Sequence, residues 1–253
     1  MKVGDYYLGW ATDEEVRKKG GSGGLVSAVL AAALEKGLVE SVLVLKKISE
    51  YDAEPIFTSD PQEVLAAAGS LHAVPVAMPM KIGLQESRLG KKVAAVGKPC
   101  DIRGIYEMAL REQINLDNTY LVGLNCGGTM PPVQTRKMFE EVYGVDPDEV
   151  EEEEIAKGEL IIKTSDGKEI GKKMDELEEA GFGRRETCRQ CSVKIPTNAD
   201  LACGNWGVLG DKVGSATFVE VRSEKGIELL ENAKNAGYIE LDSPSDKGIE
   251  IRK

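Results

Sequence analysis

Residues 92–113, KVAAVGKPCDIRGIYEMALREQ, and residues 120–143, YLVGLNCGGTMPPVQTRKMFEEVY, carry the same pattern twice. Lys92–Val96 is a short apolar run suited to a buried strand, Gly97-Lys98-Pro99-Cys100 leaves its carboxyl end, and Asp101 opens a helix reaching about Gln113. Tyr120–Leu124 is a second such strand, Asn125-Cys126-Gly127-Gly128 leaves it, and a helix follows over Val133–Tyr143. Strand and helix in alternation predict an α/β fold with a mixed or mostly parallel sheet and flanking helices. Ligands of open α/β sheets bind outside the carboxyl ends of the strands, and both of these loops place a cysteine there.

Working outward, Gly20-Gly21-Ser22-Gly23-Gly24 precedes an apolar helix over Leu25–Glu35, with Gly37 at its C-terminal stop. Ser41–Leu45 reads as a buried strand, and Ser59-Asp60-Pro61 starts a helix through Ala68 that Gly69-Ser70 ends. Downstream, Ser165-Asp166-Gly167 joins Glu159–Thr164 to Lys168–Lys172 as a β-hairpin insertion, and the acidic run Glu151–Glu154 reads as a solvated face. Residues 181–207 read as an irregular, Cys-rich loop. Ala216–Val221 and Tyr238–Leu241 read as strands around a helix over Ser223–Ala236, and no element is read in the tail after it. The expectation is one domain over residues 1–253, with an N-terminal part, 1–80, and a cysteine-bearing part, 81–253.

The formal net charge of −11 repels nucleic-acid phosphates, and no basic stripe with interleaved aromatics opposes that field. An anionic cofactor therefore needs local positive ground. The N-terminus has no secretory h-region and the longest apolar run is too short to span a bilayer, so a cytoplasmic location is expected.

Five cysteines, an odd count, do not suggest a disulfide framework. Cys188 and Cys191 form a C-x-x-C pair that chelates because its bend turns both thiolates toward one centre. Cys100 and Cys126 are candidates to complete the set, and spacing does not separate zinc from iron–sulfur. Cys203 suits either a ligand or a buried structural thiol. Arg184, Arg185, Lys194, Lys98 and Arg103 place positive charge near the thiols. The segment Gly21–Gly24 offers backbone N–H groups to a phosphate or a flavin edge, although a hinge with a helix cap explains it equally, and no strand clearly precedes it. His72 is the sole histidine. Hydrolase chemistry fits poorly, and no acid–base catalyst is assigned.

Taken in order, GGSGGLVSAVLAAALEKGLV, AAAGSLH, VGKPCDIRGI, GLNCGGTMPPV, RRETCRQCSVKIP and ADLACGNWGV resemble the beta subunits of the coenzyme F420-reducing hydrogenase and formate dehydrogenase family. NCGGTMPP and DLACGNWG bring the likeness nearest to the archaeal formate dehydrogenase members. The resemblance implies an oxidoreductase of methanogenesis that uses FAD and a [4Fe–4S] cluster to pass hydride to or from coenzyme F420. Its implied partners are a catalytic alpha subunit with the primary active site and a ferredoxin-like electron donor. Carried over by motif, Cys100, Cys126, Cys188 and Cys191 are the cluster ligands, with Cys203 as a substitute. Gly21, Ser22, Gly23, Gly24, Gly69, Ser70 and His72 line the flavin, and Lys98 contacts the flavin or the deazaflavin. The formate dehydrogenase members usually carry a ferredoxin-like C-terminal extension, and none is expected within residues 1–253. The alternatives are a hydrogenase beta subunit, an electron-input module of a heterodisulfide reductase complex, or, in a different class, a zinc-stapled scaffold holding metal through Cys126, Cys188, Cys191 and Cys203.

Overall fold

The computed structural model describes residues 1–69, 82–156 and 158–252. Strand β1 (Tyr6–Ala11) comes first, with Leu8 and Trp10 facing one side of a sheet and Ala11 the other. Helix α1 (Glu14–Lys19) follows, capped by the Asp13 carboxylate, which accepts from the N–H groups of Glu15 and Val16. A strand therefore does precede the glycine loop, separated from it by this short helix. After the loop, α2 (Leu25–Glu35) buries an alanine-rich face that lets it lie close to the sheet.

Strands β2 (Ser41–Ser49) and β3 (Asp52–Thr58) form an antiparallel hairpin, and α3 (Pro61–Ala66) starts at the Asp60 cap. The repeated pattern then gives β4 (Val93–Gly97), α4 (Pro99–Leu110), β5 (Thr119–Leu124) and α5 (Pro132–Met138), the last continuing as a wide turn over Phe139–Tyr143.

The inserted unit has three strands rather than two: β6 (Val150–Ala156), β7 (Glu159–Thr164) and β8 (Glu169–Lys173). The acidic run is thus a strand, and Glu153 within it is buried. A separate core, including Phe139, Leu160, Ile162 and Leu177, anchors this sheet. Helices α6 (Met174–Glu179) and α7 (Glu186–Arg189) lead to β9 (Leu201–Gly204), which lies inside the stretch read as irregular. Strand β10 (Thr217–Val221), α8 (Glu224–Asn235), β11 (Ile239–Asp242) and α9 (Asp246–Arg252) complete the chain, the last where the tail shows no sequence signal.

The main sheet runs β11-β1-β10-β9-β5-β4-β2-β3. Its β2/β4, β4/β5 and β5/β9 pairs are parallel and the others antiparallel, so the sheet is mixed. Helices α2 and α8 cover one face over Val122, Leu201 and Val219, while α4 covers part of the other over Leu43, Ala95 and Leu121. Register fixes what shares an edge. Gly97 lies opposite Gly123, Leu124 opposite Cys203, Gly204 opposite Phe218 and Thr217 opposite Gly9. The carboxyl ends of β4, β5, β9 and β1 therefore open onto one rim.

Candidate functional site

At the end of β4, the Asp101 carboxylate accepts from the Lys98 backbone N–H at 2.9 Å and pairs with Lys98 Nζ at 2.9 Å. The Lys98 side chain is 11% exposed and that of Asp101 1%, so this pair is an internal brace of the loop and its charge is already matched. Gly97 makes room for it, since a Cβ there would stand 2.8 Å from Asp101 Cβ. Cys100 follows at the surface. Its thiol is pushed above its ordinary value by lost hydration first and by Asp101 next, with Lys98 opposing.

The loop after β5 is spanned by the segment that carries the C-x-x-C pair. The Arg185 N–H donates to the Thr129 carbonyl at 2.9 Å, and the Cys126 N–H donates to the Lys194 carbonyl at 3.0 Å. Residues 185–194 are thereby strapped across Cys126–Thr129. Gly128 permits the approach: a Cβ there would lie 2.6 Å from Arg184 Cδ and 3.3 Å from Cys188 Cβ. Thr129 Oγ1 sits 3.8 Å from Cys188 Sγ and accepts from Arg185 Nε at 3.1 Å. Cys191 is one turn on, its N–H donating to the Cys188 carbonyl at 3.3 Å and its thiol to the Val193 carbonyl at 3.4 Å.

Electrostatics tie these thiols together. Burial raises Cys126 above its ordinary value, Cys188 adds to the rise, and the Gly128 N–H, Lys98 and Lys194 oppose it. Cys100 in turn responds to Cys126. Cys126 thus lies within electrostatic reach of Cys100 on one side and of Cys188 on the other, and Cys191 is held on the same arc as Cys188. The cations expected near them are partly committed elsewhere. Glu178 accepts from Arg184 Nε at 2.6 Å and from Arg184 Nη2 at 3.2 Å, and it lies 3.8 Å from Arg189 Nε. Glu178, which sequence reasoning missed, anchors the arc from α6.

Cys203 stands apart. It is 1% exposed in the apolar layer under α2 and α8, and burial pushes its thiol up to about 12 against the opposing Arg252 charge. The zinc set Cys126, Cys188, Cys191 and Cys203 is therefore not assembled, because strand alternation turns Cys203 into the core. Among the described residues, no three His, Cys, Asp or Glu side chains converge on a single metal ion. An iron–sulfur cluster asks for something else, since its thiolates bind different irons. Thiols on adjoining loops, as Cys100, Cys126, Cys188 and Cys191 are, have the donor chemistry for that need. Beside them, Asn125 Oδ1 and Nδ2 are buried with no partner among the described residues, and the amide packs on Gly204, where a Cβ would lie 2.6 Å from Asn125 Cγ.

The glycine loop reaches the same rim. Its Gly23 carbonyl accepts from the Ala11 N–H at 2.8 Å, and the Ser22 carbonyl accepts from Thr217 Oγ1. Gly23 has φ +79°, and a Cβ on it would collide with the Ser215 carbonyl. At Gly24, φ +68°, a Cβ would stand 2.5 Å from the Val16 carbonyl oxygen. Packing alone thus requires glycine at both positions. Lys19 Nζ donates to the Ala66 carbonyl at 2.7 Å, which draws the end of α3 and Gly69 toward the loop. Ser70 and His72 lie outside the described residues. Trp10 adds a feature that sequence reasoning missed: the Arg17 Cζ lies 5.0 Å and the Lys212 Nζ 3.9 Å from its ring centroid, and its Nε1–H donates to Glu240 Oε2 at 2.9 Å.

A mixed α/β sheet whose rim gathers four thiols and a glycine loop defines a class, and the chain belongs to the coenzyme F420 hydrogenase/dehydrogenase beta subunit family. Residues 6–82 match the family's beta subunit N-terminal region and residues 90–247 its C-terminal region. Among particular relatives, it is 47% identical over 250 residues to the F420-dependent formate dehydrogenase 1 subunit beta of Methanococcus maripaludis, covering 98% of this chain and 63% of that protein. It is 45% identical to the F420-dependent formate dehydrogenase subunit beta of Methanocaldococcus jannaschii, covering 98% of this chain and 64% of that one. The coenzyme F420 hydrogenase subunit beta of Methanococcus voltae is 29% identical, with 93% and 83% covered. The chain thus spans less than two thirds of the length of the two formate dehydrogenase relatives. A chain in the F420-reducing [NiFe] hydrogenase complex from Methanosarcina barkeri has the same fold, with TM-score 0.82 at 20% identity over 96% of this chain and 82% of that one. Among the described residues, no helix is long and apolar enough to cross a membrane.

Proposed function

We propose that this chain is the flavin- and iron–sulfur-bearing subunit of an F420-dependent formate dehydrogenase, exchanging hydride with coenzyme F420 for electrons from a formate-oxidising partner. The observation that supports the reading is the strap of residues 185–194 across Cys126–Thr129, which brings the C-x-x-C segment to Cys126, itself within electrostatic reach of Cys100, on a rim shared with the glycine loop.

Cys100, Cys126, Cys188 and Cys191 would hold a [4Fe–4S] cluster. The Lys98–Asp101 brace fixes the approach of Cys100, and Glu178, through Arg184 and Arg189, fixes the C-x-x-C arc. Gly21–Gly24 and Gly69 would line FAD, with Lys98 fixing the adjoining loop. A bound flavin supplies the conversion between single electrons and hydride that such a task needs. The formate assignment follows the higher identity to the formate dehydrogenase relatives than to the hydrogenase relative, and the partners are a catalytic alpha subunit and a ferredoxin-like donor.

The test is the absorption spectrum of protein purified without oxygen, before and after addition of reduced coenzyme F420. Flavin bands above a broad iron–sulfur shoulder, both bleaching on addition, are expected. A colourless protein with stoichiometric zinc overturns the reading.

A further inference from the structure

With a net charge of −11, the chain must concentrate positive charge wherever it receives an anion. One such place lies on the rim beside the glycine loop. Arg17, from α1, and Lys212, from the turn Gly210–Lys212, both reach the ring of Trp10. Their charges can lie no further apart than those two ring distances laid end to end. Neither side chain forms an ion pair or donates a hydrogen bond to any described residue, and the nearby Glu240 carboxylate is engaged by the edge of the indole. A ring face steadies a cation while leaving its N–H groups free: five on Arg17 and three on Lys212.

The same two segments grip the glycine loop. The Val16 carbonyl, next to Arg17, accepts from the Gly20 N–H at 2.9 Å and is the group that leaves no room for a Cβ on Gly24. On the other side, Ser215 donates its N–H to the Lys212 carbonyl at 3.0 Å, and its own carbonyl excludes a Cβ on Gly23. Two hydrogen-bond-free cations are therefore held beside backbone that already bends tightly at the rim. A guanidinium fork with an ammonium point charge suits phosphate oxygens.

We infer that Arg17 and Lys212, steadied on Trp10, form the receptor for the phosphate-bearing tail of the coenzyme that enters at the glycine loop. The choice of a coenzyme tail rests on the flavin and deazaflavin reading above, whereas the anion site itself rests on the geometry.

The experiment uses the full chain, freed of bound nucleotide, in a Trp206→Phe background that leaves Trp10 as the sole tryptophan. Titration with inorganic pyrophosphate should change Trp10 fluorescence saturably. Binding should weaken at least tenfold in Arg17→Gln/Lys212→Gln and stay unchanged in Lys18→Gln, whose exposed side chain lies 3.8 Å from Glu14. No binding by the parent, or equal binding by the double variant, overturns the inference. A second arm compares FAD with riboflavin, and coenzyme F420 with its tail-less deazaflavin headgroup. Selective weakening of FAD assigns the site to the flavin diphosphate, and selective weakening of coenzyme F420 assigns it to the deazaflavin tail. Equal weakening of intact and tail-less forms overturns the inference. A parent that binds pyrophosphate but neither flavin nor deazaflavin overturns the proposed function and leaves the anion site standing.

Discussion

The backbone N–H of Cys126 donates to the carbonyl of Lys194 at 3.0 Å, so the loop that leaves β5 and the segment that follows the C-x-x-C pair are one hydrogen-bonded unit. A strap of this kind holds its cysteines only as firmly as its other anchors, and the main side-chain anchor is Glu178.

Glu178→Gln should therefore loosen the arc. The Arg184 hydrogen bond is the main cause that holds the Glu178 carboxyl below its ordinary value, with Arg184 and Arg189 charge adding to it against burial. A depressed carboxylate contributes stability that is complete above its unfolded value and is lost as pH falls through the lower folded value. The parent should thus lose stability relative to Glu178→Gln below about pH 4. At pH 7 the variant should be weaker by about 1 kcal/mol, since Arg184 is partly solvated. Thermal melts of both proteins across pH check this, and iron release to a chelator at pH 7 should be faster in the variant.

Cys203→Ser should keep cluster iron, whereas Cys191→Ser should lose it. The serine hydroxyl enters an apolar layer, so a stability loss of about 1–3 kcal/mol is expected without any change in iron content. In native protein depleted of cluster, iodoacetamide should label Cys100 and spare Cys203, whose thiol is enclosed and raised to about 12. Iron assay and peptide mass spectrometry give the two readouts. Iron loss from Cys203→Ser at the level of Cys191→Ser would contradict the ligand assignment.

Gly23→Ala should destabilise by more than about 1 kcal/mol, because the residue is both left-handed and pressed against the Ser215 carbonyl, a backbone group with nowhere to go. Urea unfolding midpoints measure it. Gly37→Ala, at φ +69° with nothing within 4 Å of the added methyl, isolates the conformational part and should cost less.

Much of this was legible where punctuation is local. Gly24 and Gly37 bracket α2 at the residues the sequence indicates, and the apolar runs ending at Gly97 and Leu124 deliver Cys100 and Cys126 to the rim. What escaped depends on pairing between distant segments. Strand β9 is only Leu201–Gly204, with two small side chains, and its pairing with β5 and β10 decides that Cys203 faces inward although its neighbours read like a ligand motif. Trp10 and Lys212 meet because β1 and the loop before β10 share an edge, a fact no spacing encodes. Helix α9 has a polar sequence and forms against Gly207, whose Cβ position is filled by the Gly248 carbonyl and Phe218.

That last helix supplies the final prediction. Arg252 is 2% exposed, its Nη2 donates to the Ala202 carbonyl at 3.0 Å, and its guanidinium lies 5.7 Å from the Phe218 ring centroid. Its Nε and Nη1 have no partner among the described residues, and arginine does not shed its proton to escape. Among the described residues no carboxylate forms an ion pair with it, and Glu220, whose charge acts on it from further off, pairs with Arg222 at 2.6 Å. Burying a charge without a direct ion-pair partner costs several kcal/mol, so an unbranched apolar side chain that fills the same channel should do better. Arg252→Met is expected to gain about 1–3 kcal/mol, raising Tm by roughly 2–4 °C per kcal/mol in a chain of this size. Arg252→Ala, which removes the charge but also empties the channel, should fall below Arg252→Met by the cost of the cavity. Differential scanning calorimetry of the three proteins separates the two effects. A methionine variant no more stable than the parent would mean that the buried guanidinium carries no such cost.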